Sequence, residues 1–166
     1  MEYFNDSNLQ YVIKNFSKSW KFRFLLFKIL PMGFLSGMTI KKLSATTCHV
    51  NVPYKWINKN PFKSTFWAVL GMAAEMSSGA LVLLYTYKQQ PSISMLVSKT
   101  EAQFLKKATG KTTFICNDGE LVKNAVISTI KTGEGVEFTT HMTGYNSLNE
   151  EIAKFKFTWS IKKRST

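Results

Sequence analysis

Between Phe66 and Tyr87 the chain reads FWAVLGMAAEMSSGALVLLYTY, and Glu75 is the only charged residue in that stretch. A helix that is apolar on every side must be surrounded by neighbours, either protein or lipid. The stretch is long enough to cross a bilayer. Against a spanning role stand Glu75 at mid-depth, the Ser77-Ser78-Gly79 run beside it, and strand-like segments downstream that need a soluble sheet. The sequence therefore predicts a core helix starting near Phe66, wrapped by the rest of the chain. An isolated buried carboxylate is costly and shifts its pKa upward unless a partner or ligand compensates. Glu75 is the first candidate for a working residue.

The wrapping material is legible on both sides of the helix. Residues 8–30 space Leu9, Val12, Ile13, Phe16, Trp20, Phe24 and Phe27 in a mostly helical pattern, which Pro31 and Gly33 stop or break. From Met38 to Tyr54 alternating apolar residues and threonines suit one strand, bent or bulged near Ser44. After the long helix come SISMLVSKTEAQFLKKA and KTTFICND, read as a strand pair joined at Thr109-Gly110. Then follow a short amphipathic helix capped by Asp118 and ended by Gly133, and two further strands, TGEGVEFTTHMTGYN and IAKFKFTWSIKKR. With 166 residues and 45% hydrophobic content, this is one α+β domain: a helical extension over 1–34 packed on a domain over 35–166. In it a curved antiparallel sheet of about five or six strands surrounds the central helix.

Lys plus Arg number 22 against 10 Asp plus Glu, a net charge of +12 that favours an anionic partner: nucleic acid, acidic membrane or a phosphorylated small ligand. Basic residues interleaved with Trp20, Phe22, Phe24 and Phe27 suit RNA or a membrane surface, but a helix packing over the sheet explains the same spacing. Nucleic acid is not the expected partner, and no transmembrane segment is expected. Cys48 and Cys116 are read as reduced packing thiols. His49 and His141 lack a third ligand at metal spacing, so no metal and no cofactor are expected. The opening Met-Glu-Tyr-Phe-Asn-Asp lacks a signal-peptide pattern, and the expected location is the cytoplasm.

On a helix, Gly71 and Gly79 lie one turn before and after Glu75. Glycine weakens a helix interior by about 1 kcal/mol relative to alanine, so two of them beside a carboxylate imply that a ligand or another backbone comes close. The competing reading pairs Glu75 with a lysine, or hydrogen-bonds it across an interface.

The run Asn-Pro-Phe-Lys-Ser-Thr-Phe-Trp-Ala-Val-Leu-Gly-Met-Ala-Ala-Glu-Met, from Asn60 to Met76, stands between a strand and TEAQFLKKATGKTTFICNDG. This arrangement resembles the hotdog-fold acyl-CoA thioesterases of the phenylacetyl-CoA thioesterase type. It is most similar to uncharacterised members with the Asn-Pro-Phe-Lys-Ser loop, the Met-Ala-Ala-Glu helix and a terminal Phe-Thr-Trp-Ser-Ile-Lys strand. The resemblance spans about residues 35–164, and its specific part is the loop and helix.

The resemblance implies that Asn60 takes the loop asparagine's place and Glu75 that of the helix carboxylate. Glu75 would activate water or attack the thioester, and Asn60 would orient water or substrate. Where the family has His-Gly-Gly this chain has Phe66, Trp67 and Ala68, whose backbone N–H groups sit at the positive end of the helix. Substrate contacts would include these three, Gly71 and Gly79. Lysines near the predicted strand pair, Lys99, Lys106, Lys107 and Lys111, would meet the phosphates of coenzyme A, itself part of the substrate. The site would form across a homodimer, or a dimer of dimers. Beside acyl-CoA hydrolysis stand a non-catalytic binder of an acyl-CoA or other apolar acyl ligand, and a peripheral protein whose segment 14–30 lies on anionic lipid.

Overall fold

The computed structural model describes residues 3–164. Three helices come first: α1 (Asp6–Ser17), α2 (Ser19–Ile29) and α3 (Pro31–Ser36). Six strands follow, β1 (Thr39–Leu43), β2 (Cys48–Val52), β3 (Ile93–Phe104), β4 (Thr112–Cys116), β5 (Val136–Tyr145) and β6 (Glu151–Lys163), with helices α4 (Trp67–Thr86) and α5 (Gly119–Thr132) between them. The sheet order is β1-β2-β4-β5-β6-β3, every neighbouring pair antiparallel.

Helix α4 is the core element the sequence demands. Leu70, Ala73, Ala74, Leu81, Val82 and Leu84 are buried against the sheet, whose inner face supplies Phe114, Phe155, Trp159 and Ile161. By length and composition α4 could cross a membrane, but more than half of that window is buried inside the fold. Its C-terminal turn is anchored by the Tyr85 hydroxyl, which donates to Ala45 O at 2.8 Å.

The structure corrects the strand assignments in two places. Residues 38–54 form a hairpin, β1 and β2, not one bent strand. Ser44 makes the turn: its N–H donates to Thr47 O, and its Oγ accepts from Thr46 N and Thr47 N. Second, β3 and β4 are not a pair joined at Thr109-Gly110. β3 pairs with β6 along its whole length, while β4 lies between β2 and β5. Residues 105–111 carry the chain across, and Thr65 fixes that crossing by donating its N–H and hydroxyl to Ala108 O.

The helical boundaries also differ in detail. Extended Lys18 separates α1 from α2, so each turns its own apolar side inward: Val12 from α1, Phe22 and Leu26 from α2. Asp118 stands at the N-cap of α5, its carbonyl accepting from Val122 N, but its carboxylate makes no capping bond and accepts instead from His141 N at 2.6 Å. Gly133 does end α5, in the left-handed region at φ 74°. At the other end, a β-carbon on Gly119 would collide with Ala45 O, so glycine is needed where α5 meets the β1–β2 turn.

Candidate functional site

The loop before α4 is built on two asparagines. Asn58 is buried, donates from Nδ2 to Ser36 O at 2.8 Å and Pro53 O at 2.7 Å, and receives Phe66 N on its backbone carbonyl at 2.7 Å. It ties α3, the end of β2 and the start of α4 into one unit. Asn60 uses Oδ1 to gather its own loop, accepting from Phe62 N, Ser64 N and Ser64 Oγ at 3.0–3.2 Å. Phe66 caps α4 without a side-chain hydrogen bond. Among the described residues, the N–H groups of Trp67 and Ala68 meet no acceptor, while those of Val69 and Leu70 return to Phe66 O. These two free donors lie at the positive end of the helix dipole. Phe66 and Trp67 themselves are exposed, their rings edge-on at 5.9 Å.

Glu75 is not buried as the sequence predicts. Its side chain reaches the surface of the single chain, at the mouth of an apolar cavity of about 220 Å³ between α4 and the N-terminal helices. Met72, Met76 and Leu83 of α4, Leu26 of α2, Met95 of β3 and Trp159 of β6 line it. These apolar groups displace enough water to push the Glu75 carboxyl above its ordinary pKa, desolvation being the cause. Among the described residues no cation or hydrogen-bond donor pairs with that carboxylate. The expected alternative, a lysine partner, is not what the fold supplies.

One turn further along, Ser78 Oγ donates to Glu75 O at 3.1 Å and accepts from Trp159 Nε1 at 3.2 Å. This links the Glu75 turn to the central part of β6. The flanking glycines sit against rings: a β-carbon at Gly71 would lie 3.5 Å from the Phe155 ring, and one at Gly79 would lie 3.3 Å from Trp159. Gly79 nevertheless lines the Glu75 cavity.

The remaining sequence candidates fall elsewhere. Asn60, Phe66, Trp67, Ala68 and Gly71 do not line the cavity. Lys106 is exposed and paired with Glu150 at 2.6 Å, and Lys107 is exposed nearby, both outside the cavity. Sequence reasoning missed the methionine and Trp159 walls. The signal for them was Met72 and Met76, which flank Glu75 on the same helix.

A long helix wrapped by a six-stranded antiparallel sheet is the hotdog fold. Solved structures match it closely in shape and weakly in sequence. A Pseudomonas aeruginosa protein described as a probable thioesterase superposes with a TM-score of 0.74 at 18% identity, covering 86% of this chain and 93% of that one. A Chlorobaculum tepidum protein of unknown function gives 0.74 at 18% identity, over 96% of both chains. A Haemophilus influenzae thioesterase gives 0.66 at 14% identity, over 88% and 91%. Residues 19–161 match the family model described as a domain of unknown function, DUF4442, and the chain belongs to that family. No curated protein matches the sequence.

Proposed function

We propose that this protein hydrolyses an acyl thioester, with Glu75 as general base and the apolar cavity as the seat of the acyl chain. The observation that carries this reading is an unpaired carboxylate of raised pKa at the mouth of that cavity. A base whose pKa moves toward neutrality transfers protons more effectively near neutral pH. Glu75 takes a proton from water, the oxygen attacks the thioester carbonyl, and the carbon–sulfur bond breaks. The proton then passes to the departing sulfur, giving a carboxylic acid and a free thiol. Developing negative charge on the carbonyl oxygen needs donors, and in this reading the N–H groups of Trp67 and Ala68, which meet no acceptor among the described residues, supply them.

One helix cannot bring both parts to one carbonyl, because Trp67 and Glu75 are about 12 Å apart at 1.5 Å rise per residue. The site is completed by a second copy. β3 is one of the sheet's two outer strands, exposed almost throughout, and its Met95 borders the Glu75 cavity. A long unpaired edge is a template for strand addition, and a partner joined there would lie against Glu75. In this reading Asn60 holds its loop for the helix start, and Lys107, which forms no ion pair among the described residues, offers its ammonium for coenzyme A phosphates.

The test is turnover of an acyl-CoA panel by wild type and Glu75→Gln. Loss of about 10²–10⁴-fold is expected, and equal rates would remove Glu75 from the mechanism. A second reading, binding without catalysis, is favoured by Phe66 and Trp67 standing where related enzymes have His-Gly-Gly. Native mass spectrometry detecting retained acyl-CoA alongside zero turnover in wild type selects it.

A further inference from the structure

Helix α2 is apolar on two opposite faces, and the fold covers only one. Phe22 and Leu26 point inward and are 3% exposed. Trp20, Phe24 and Phe27, spaced i, i+4, i+7, form a stripe on the other side and are 71%, 58% and 59% exposed. Around that stripe stand Lys21, Arg23 and Lys28, with Lys18 exposed at the helix entrance. Lys21 Nζ lies 5.6 Å from the Trp20 ring centroid, Lys28 Nζ 4.8 Å from Phe24, and Arg23 Cζ 4.8 Å from Phe34. Met32 of α3 continues the exposed apolar surface.

We propose that this outer face of α2 docks on an anionic phospholipid bilayer. The charge pattern selects that occupant: from residue 7 to residue 74 the chain has no Asp or Glu at all, and among the described residues no ion pair takes up Lys18, Lys21, Arg23 or Lys28. A second copy seated face to face would set those cations against their own likes. An anionic headgroup layer neutralises them and accepts the aromatic stripe at its boundary, where tryptophan and phenylalanine are most at home.

The surface also leads inward. A groove of about 540 Å³ has Trp20, Lys21, Phe24 and Lys28 on its wall, and it shares Phe16, Leu25, Ile29 and Leu83 with the Glu75 cavity. A docked bilayer therefore faces the entrance to the proposed acyl site. Docking itself does not depend on Glu75 chemistry, so its failure shows in binding and that of the hydrolase reading in turnover.

The test is co-sedimentation of the full chain with phosphatidylcholine vesicles and with vesicles containing phosphatidylglycerol. Each cation near an anionic surface contributes about fivefold in affinity. Wild type should bind the anionic vesicles about 10²-fold more tightly than the neutral ones, and added salt should erase the difference. Lys21→Glu/Lys28→Glu should remove most of that preference, and Trp20→Ser/Phe24→Ser/Phe27→Ser should abolish pelleting. Both variants should keep the wild-type melting temperature, since Phe22 and Leu26 are untouched. Trp56→Ala, at an exposed tryptophan elsewhere, should behave as wild type. Equal binding to both vesicle types, variants that pellet like wild type, or light scattering in which the same variants convert a dimer to monomers would overturn the proposal.

Discussion

Gly71→Ala should make the protein more stable, and Gly79→Ala should not, although both glycines lie one helical turn from Glu75. Alanine in a helix interior is favoured over glycine by about 1 kcal/mol, partly because it restricts the unfolded chain. At Gly71 the new methyl would sit 3.5 Å from Phe155, an ordinary contact that adds a little apolar burial. The sum is a gain of about 1 kcal/mol, or about 2–4 °C in melting temperature for a chain of this size. At Gly79 the methyl would approach Trp159 to 3.3 Å. Trp159 is 3% exposed and held by its hydrogen bond to Ser78, so it has little freedom to give. Crowding of this kind costs about 1–3 kcal/mol, leaving a net loss of about 0–2 kcal/mol. Thermal unfolding of the two variants beside wild type, with acyl-CoA binding measured on each, decides the matter. A lowered melting temperature or lost ligand binding for Gly71→Ala would refute the packing explanation and restore close approach of a ligand.

The raised pKa of Glu75 has a signed effect on stability. The folded state holds that proton more tightly than the unfolded chain. No penalty exists below the unfolded carboxylate range, and it grows as pH rises through the folded pKa. Glu75→Gln should therefore gain melting temperature over wild type from about pH 4 to pH 7; a constant gap across that range would contradict the assignment. Affinity for saturated acyl ligands should climb about fourfold per methylene until the cavity of about 220 Å³ is filled, and flatten beyond it. Titration calorimetry across a homologous series checks this, and a flat series would exclude the cavity as the acyl seat.

Much of this fold was written in charge and apolar patterning. Helix α4 is the stretch with one charge, α5 ends at Gly133, and Val12 follows the helical spacing inward, but in α2 the spaced Trp20, Phe24 and Phe27 face outward while Phe22 and Leu26 are buried. The β1–β2 hairpin escaped because its turn, Ser44-Ala45-Thr46-Thr47, has none of the glycine, proline or asparagine that mark turns, and closes through a serine hydroxyl instead. The partner of β3 escaped for a different reason. Alternation tells a strand from a helix but not which distant strand it meets, and Thr109-Gly110 offered a local turn signal where the chain makes a crossing. The carboxylate at the centre of the site was legible as an anomaly, while its exposure was not. A helix apolar all round gives no sign of which side its sheet leaves open. The hydrogen bonds that Asn60 Oδ1 accepts within its own loop were likewise hidden, since a loop amide's local partners are not written in its spacing.

The position of β6 has a consequence for how the chain reaches its native state. It lies between β5 and β3, so the strand translated last of those described joins the long outer strand to the rest of the sheet. Until it emerges, β3 has no partner and the middle of α4 lacks Phe155 and Trp159. At about 5–20 residues per second, that leaves a nascent chain displaying a long greasy helix for roughly 4–15 s. Such a helix is what the machinery that sorts membrane proteins recognises. Glu75, near its centre, raises the cost of placing that segment in a bilayer during that interval.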